Sequence, residues 1–278
     1  MKEIFDQASL DCSKKITLSY STSFSLGIRM LDKTLRDPIY SIYGFVRLAD
    51  EIVDSFHDYN KNKLLNDFRS ATVNSIEEKI SLNPILNSFQ KTVKKYSIQW
   101  PLIDVFLESM EYDLDNHECD ESSYKNYIKG SAEAVGLMCL CVFTDNNYKL
   151  YKKLEPYAVA LGSAFQKINF LRDIRSDHLV LKRVYFPNID IKNFNTKEKK
   201  KIEKDILKDF DKAIIGIRGL PKSSRLGVYL AYVYYFKLFK KIEKKSATQI
   251  LQKRIRINNL SKFLLLTKSI IKCKLNLI

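Results

Sequence analysis

The sequence predicts an all-α protein, and three observations carry that expectation. Gly and Pro number only 8 and 6 in 278 residues. Strong alternating runs bounded by Asn-Gly or Asp-Gly turns are absent. Apolar residues recur at helical spacing and make up 45% of the chain, enough for a substantial core and too many for disorder. No linker, low-complexity tract or repeat interrupts the pattern beyond two acidic helices, so residues 1–278 read as a single domain.

Residues 3–18 carry the first helical period, with Ile4, Phe5, Ala8, Cys12 and Ile16. Ser19 to Ser25 is rich in hydroxyls, which either cap the next short helix or donate to phosphate oxygens. Asp37-Pro38 has the form of a helix start, and that helix should run to about Ser55. Residues 61–82 and 84–97 read as two polar-faced helices broken at Asn83-Pro84. Pro101 to Asp115 is a further helix, whose Asp113 and Asp115 face either the cleft or solvent.

Ser122 to Thr144 is helical, and its small residues Gly130, Ser131, Ala132, Ala134 and Gly136 admit either another helix or a long apolar ligand. Asn147 to about Leu179 follows, with a joint expected near Pro156 and a thin face at Gly162, Ser163 and Ala164. Leu181 to Pro187 reads as an exit loop, and Asn193 to Lys204 as a solvated loop and helix start. Helices should then run to about Arg218, from Pro221 to Lys245, and from Asn258 to the end. Tyr229, Tyr232, Tyr234 and Tyr235 read as core, with an apolar tunnel as a second use. The tail from Phe263 to Ile278 is either a packed last helix or an amphipathic one lying on a surface.

Two stretches carry chemistry. On a helix each residue turns about 100°, so residues spaced 3 or 4 apart share a face. Tyr43, Arg47, Asp50 and Asp54 are so spaced, as are Gln166, Asn169, Asp173 and Asp177. Each set has an arginine close by, Arg47 in one and Arg172 in the other, and each lies in apolar sequence. Like charges one turn apart are unfavourable on a helix unless something bridges them. Asp50 and Asp54 also fall near a helix C-terminus, whose partial negative charge adds to the demand for a cation. Mg²⁺ takes one or two protein carboxylates and completes its shell with water and phosphate oxygens. The two faces are therefore expected to oppose each other and hold diphosphate through magnesium. Arg183, six residues past Asp177, is placed to reach the same phosphates.

The net charge of +15 suits an anionic partner, but no basic stripe with stacking aromatics or nucleic-acid module is present, so nucleic acid is not expected. The five cysteines show no zinc-like spacing and read as free thiols in a reducing cytoplasm. His57, His117 and His178 are scattered, and His117 with Cys119 makes only a weak metal pair. No signal peptide is expected at the N-terminus, and no membrane-spanning segment anywhere.

STSF at Ser21–Phe24, YGFVRLADEIVD at Tyr43–Asp54, YIKGSAEAVG at Tyr127–Gly136, NFLRDIRSD at Asn169–Asp177 and RVYFP at Arg183–Pro187 occur in order over nearly the whole chain. In these the chain resembles the squalene/phytoene synthase family, and most of all its bacterial phytoene synthases. The resemblance implies an isoprenoid-synthase helical bundle around a central cavity. It implies head-to-head condensation of two geranylgeranyl diphosphates to phytoene through a cyclopropyl diphosphate. It assigns Asp50, Glu51 and Asp54, with Asn169, Asp173 and Asp177, to Mg²⁺, for which Mn²⁺ can substitute. NADPH is not expected.

The resemblance sets Ser21, Ser23 and Phe24 on a flap over diphosphate. It gives Tyr43, Arg47, Gln166, Arg172, Arg183 and Tyr185 to the site, with Tyr235 as a further match. One departure is Lys129, where many members have tyrosine. A squalene-type or dehydrosqualene-type synthase acting on farnesyl diphosphate is the nearest alternative. A catalytically silent binding factor and a basic membrane- or nucleic-acid-binding protein are alternatives of other classes. A cytoplasmic location is expected, with peripheral contact at the inner face of the membrane as the variant.

Overall fold

The computed structural model describes residues 1–114, 119–179, 181, 183–187, 194–252 and 254–278, without the side chains of 178–179. Among these residues there are helices and no strand. Asp115 and His117, named above, lie outside the described residues.

Helix α1 spans Lys2–Tyr20 and α2 spans Thr22–Arg29. Ser21 separates them and caps α2, its Oγ accepting from the Phe24 amide at 3.1 Å. Capping is thus the observed use of that hydroxyl. Helix α3 covers Lys33–Ser55 and begins four residues before the expected Asp37-Pro38 start. Asp32 is the cap, its carboxylate accepting from the Thr34 amide at 3.0 Å. Pro38 sits inside the helix, where the missing donor costs one ladder bond that burial of Leu35, Ile39 and Tyr40 offsets.

Helix α4 (Lys61–Glu78) stops short of the expected residue 82, at Lys79 with φ of 59°. Helix α5 (Pro84–Lys95) follows the Asn83 cap, and α6 spans Trp100–Tyr112. Helix α7 (Glu121–Ile128) passes through a π-helical stretch, Lys129–Ala134, into α8 (Val135–Thr144). The run Glu121–Thr144 is long and apolar enough to cross a membrane, contrary to the expectation that no such segment exists. Its Tyr127, Ile128, Met138 and Val142 are buried in the protein core, which accounts for that composition.

Helix α9 (Tyr148–Leu179) runs through Pro156, where a joint was expected, with Leu154 and Ala160 buried on either side. Helix α10 (Thr196–Gly219) begins at a capping box on Asn195, so most of the lysine-rich stretch is helix. Lys199 in that stretch is buried, bonded to Glu203 and to the Glu243 carbonyl, rather than solvated. Helix α11 spans Lys222–Glu243, a short unexpected α12 spans Ala247–Gln252, and α13 spans Asn259–Lys274. Helix α13 packs on α11, where the Tyr234 hydroxyl donates to the Lys262 carbonyl at 2.9 Å. Its other side leaves Leu260, Phe263, Leu264 and Ile271 exposed.

Among the described residues two large apolar clusters build most of the core, with a smaller third at Leu140, Leu154 and Leu220. One centres on Phe45, Phe89 and Phe106 of α3, α5 and α6, with Phe45 stacked on Phe89 at 3.9 Å. The other centres on Ile168, Leu171, Phe210 and Phe239 of α9, α10 and α11. Between them lies an apolar cavity of about 390 Å³. The π-helical stretch shapes one wall. A side chain on Gly130 would strike the Val105 carbonyl at 2.3 Å, so this glycine lets α6 approach. Gly162 brings α9 within the same reach of the Ala132 carbonyl. Ser131, Ala132 and Gly136 line the cavity. The small residues therefore admit neighbouring helices, and some of them also line the cavity.

Candidate active site

Helix α3 presents Tyr43, Val46, Arg47 and Asp50 to the cavity, and α9 presents Phe165, Gln166 and Asn169. Four aromatic rings gather at that end. Phe24 lies 6.0 Å from Tyr43, 6.3 Å from Phe165 and 5.8 Å from Tyr235, and Phe165 stacks on Tyr235 at 3.9 Å. Of the four tyrosines expected together on α11, only Tyr235 lines the cavity. Tyr232 packs edge-on to Phe210, and Tyr234 bonds to α13. Burial pushes the Tyr43 phenol up to about 12, so it remains a donor at neutral pH.

The predicted acidic residues are near one another but are partly occupied by arginines. Arg47 donates to Asp50 at 2.5 Å and to Glu51 at 3.0 Å, and its guanidinium lies 4.2 Å above the Tyr20 ring. Of the residues expected to hold metal, Asp50 and Asn169 line the cavity, whereas Glu51, Asp54, Asp173 and Asp177 do not. Asp54 accepts from Arg183 Nη1 at 2.7 Å. Arg172 Nε donates to Asp173 at 3.0 Å. Arg254, which follows α12, grips the same carboxylate through Nε at 2.7 Å and Nη2 at 3.0 Å. The Tyr235 hydroxyl donates to Asn169 Oδ1 at 3.4 Å.

The two faces feel each other's charge. Asp50 is pushed up to about 7 by burial and by Asp54. Asp177 is pushed up to about 8 by burial, then by Asp173 and Asp54. Arg183 bridges the faces, its amide donating to the Asp177 carbonyl at 2.8 Å while its guanidinium holds Asp54. It also caps the end of α3 at the Val53 carbonyl, with Lys61 donating to the same oxygen at 2.8 Å. Protein cations thus meet part of the demand that the sequence assigned to metal alone.

Ser21 and Phe24 lie at the α1–α2 junction beside this end, and Ser23 is half-buried there without lining the cavity. Tyr185 stands behind Arg183, its hydroxyl donating to Asp113 at 2.8 Å. Lys129 is exposed and off the cavity wall. Asp113 is buried without lining the cavity, so it faces neither solvent nor the cleft wall. Sequence spacing missed Arg254, because it reaches Asp173 from an element 81 residues further along the chain. Cys119, half of the weak metal pair, donates to the Tyr185 carbonyl at 2.9 Å, and all five cysteines are free.

Among the described residues no three acidic, histidine or cysteine side chains converge as a ready-made metal cage. The donor set nevertheless suits a hard cation that takes one or two carboxylates and draws its other ligands from phosphate and water. Asp50 and Asp177, with proton affinities raised by burial and then by neighbouring negative charge, are the groups that such a cation would relieve.

The sequence profile of the squalene/phytoene synthase family matches residues 18–261. The chain belongs to that family. It is 26% identical to a 4,4'-diapophytoene synthase of Staphylococcus haemolyticus, over 70% of this chain and 68% of the relative. It is 24% identical to a phytoene synthase of Cereibacter sphaeroides, over 82% of this chain and 70% of the relative. The fold matches a dehydrosqualene synthase crystal structure with a TM-score of 0.83 and 19% identity, covering 97% of this chain and 98% of that one. The family is a prenyltransferase class acting on prenyl diphosphates, and the bundle is that of the isoprenoid synthases.

Proposed function

We propose that the protein condenses two geranylgeranyl diphosphates head to head into phytoene, releasing diphosphate, with Mg²⁺ at the two acidic faces. The observation that carries this reading is one apolar cavity with Arg47, Asp50 and Asn169 at the same end. The first carbon–oxygen bond breaks and its electron pair leaves with diphosphate. The double bond of the second substrate attacks the allylic cation, and loss of a proton closes a cyclopropane. A second ionisation, rearrangement and proton loss give the hydrocarbon.

Bound Mg²⁺ would supply positive charge to the leaving diphosphate, held by Asp50 and Asp54 with Asn169, Asp173 and Asp177. Arg47, Arg172 and Arg183 add fixed donors aimed at the same charge. The faces of Phe24, Tyr43, Phe165 and Tyr235 stabilise the cation, while the apolar walls keep water from it. Peripheral contact with an anionic membrane surface belongs to the reading. Its support is the exposed Leu260, Phe263, Leu264 and Ile271 of α13 beside Lys268 and Lys272.

A farnesyl-chain reading has one observation in its favour, the likeness to a diapophytoene synthase. Incubation of the purified protein with Mg²⁺ and geranylgeranyl or farnesyl diphosphate, with and without NADPH, separates the two. Hydrocarbon analysis is expected to find phytoene from the longer substrate without NADPH. Dehydrosqualene from the shorter substrate alone would transfer the assignment to the second reading. No hydrocarbon from either would sink both.

A further inference from the structure

Asp113 ends α6 as its C-cap residue, and its side chain is only 3% exposed. A carboxylate so placed is costly unless its lone pairs are satisfied. Here both oxygens are taken. Oδ2 accepts from the Tyr127 hydroxyl at 2.6 Å and Oδ1 from the Tyr185 hydroxyl at 2.8 Å. The Arg183 Nε lies 3.6 Å from Oδ1, and Arg183 Nη2 donates to the Asp113 backbone carbonyl at 2.7 Å. Stacking of Tyr185 on Phe170 at 4.3 Å fixes the phenol that completes the set. Burial raises the Asp113 carboxyl to about 6, opposed by Arg183 and the phenols, which leaves it ionised at neutral pH.

Arg183 is the residue that touches both acidic faces, through Asp54 and the Asp177 carbonyl. Its contact with Asp54 cannot survive unchanged if Asp54 turns to a metal. A guanidinium without another counter-charge would follow Asp54 and compete for it, or swing into water. Asp113 supplies that counter-charge from the side away from the cavity. We propose that Asp113 is a positioning residue of the diphosphate site, one that retains Arg183 at the junction of the two faces while Asp54 exchanges its guanidinium for a cation. This rests on the function proposed above. It adds that Arg183 stays in place to receive diphosphate, with its Nη1 released by Asp54.

The test is calorimetric titration of the full chain with Mg²⁺ and inorganic pyrophosphate, without prenyl substrate. Asp113→Asn keeps the shape and removes the charge, and is expected to weaken pyrophosphate binding about tenfold, the usual scale for a residue supporting a ligand contact. Melting temperature and helicity are read alongside. If Asp113 acts through Arg183, the double variant D113N/R183Q binds no more weakly than R183Q alone. Additive losses, or D113N binding within twofold of wild type, would overturn the proposal.

Should D113N fail to fold, Arg183→Lys carries the test. Lysine keeps the charge but cannot reach Asp54, Asp113 and two carbonyls at once. A similar tenfold loss is expected, and binding equal to wild type overturns the proposal. Wild-type protein that binds magnesium pyrophosphate but yields no hydrocarbon defeats the proposed function and leaves the Asp113 result readable. Wild-type protein that binds no pyrophosphate overturns the role of Asp113 as well.

Discussion

The two acidic faces carry similar residues but are neutralised in different ways. On α3 the positive charge is spread out, with Arg47 on Asp50 and Glu51 and Arg183 on Asp54. On α9 it is concentrated, because Arg172 and Arg254 both grip Asp173. Among the described residues Asp177 has no ion pair, and its proton affinity is raised further than that of Asp50, to about 8 against about 7. Similar spacing in sequence therefore does not give equivalent carboxylates. A cation arriving at α3 must displace arginines, whereas on α9 it finds one carboxylate held twice and another held by none.

The largest effect separates need from convenience. Asp50→Asn and Asp173→Asn are each expected to lower turnover at least about a hundredfold, the scale for removing a group that stabilises leaving-group charge. Helicity should be unchanged, since neither residue anchors the core. Steady-state rates with saturating Mg²⁺ and circular dichroism check this. Wild-type-like rates in Asp173→Asn alone would mean that its two arginines, rather than a metal, are its working partners.

A middle-sized effect follows from the raised carboxyls. Asp50 and Asp177 titrate at about 7 and 8 in the folded protein, above the ordinary carboxylate value near 4. Between about pH 4 and 8 the folded state therefore holds protons that the unfolded chain has released. Stability from this source is present in full below pH 4 and is lost as pH rises through 8. The melting temperature in EDTA should fall by a few degrees from pH 5.5 to 8.5, and Asp177→Asn should flatten that fall. Mg²⁺ should stabilise more at pH 8.5 than at 5.5, because it then displaces no protons. A melting temperature in EDTA that rises over this range would contradict the unequal-face description.

How much of this could be read in advance follows from where each partner lies in the chain. Tyr43, Arg47 and Asp50 could be placed together because successive helix turns relate them, and Gln166 and Asn169 because one turn does. The helical class could be read from sparse glycine and proline. The start of α3 was misplaced because Asp37-Pro38 has the local chemistry of a cap, while Asp32 makes the cap and a buried face carries the helix through the proline. Lys199 looked solvated because its counter-ion Glu203 draws it inward only once α10 packs. Arg254 lies 81 residues from Asp173, and Asp113 lies 72 from Tyr185. Chain folding sets such pairs, and no helical period announces them.

The smallest effect tests the crowding on α9 directly. The Arg254 side chain is 50% exposed while Asp173 is 16% exposed, so their ion pair is half in solvent and contributes roughly 0–1 kcal/mol. Arg254→Gln removes one of the two guanidiniums from Asp173 and leaves Arg172 in place. Mn²⁺ affinity without diphosphate, read by electron paramagnetic resonance, should then tighten by no more than about fivefold, the equivalent of that energy. The analogous loss on α3, Arg47→Gln, strips the partner from Asp50 and Glu51 together and should raise Mn²⁺ affinity further. Equal gains in the two variants would mean that the faces are neutralised alike, and that the doubled grip on Asp173 does not set its availability to a cation.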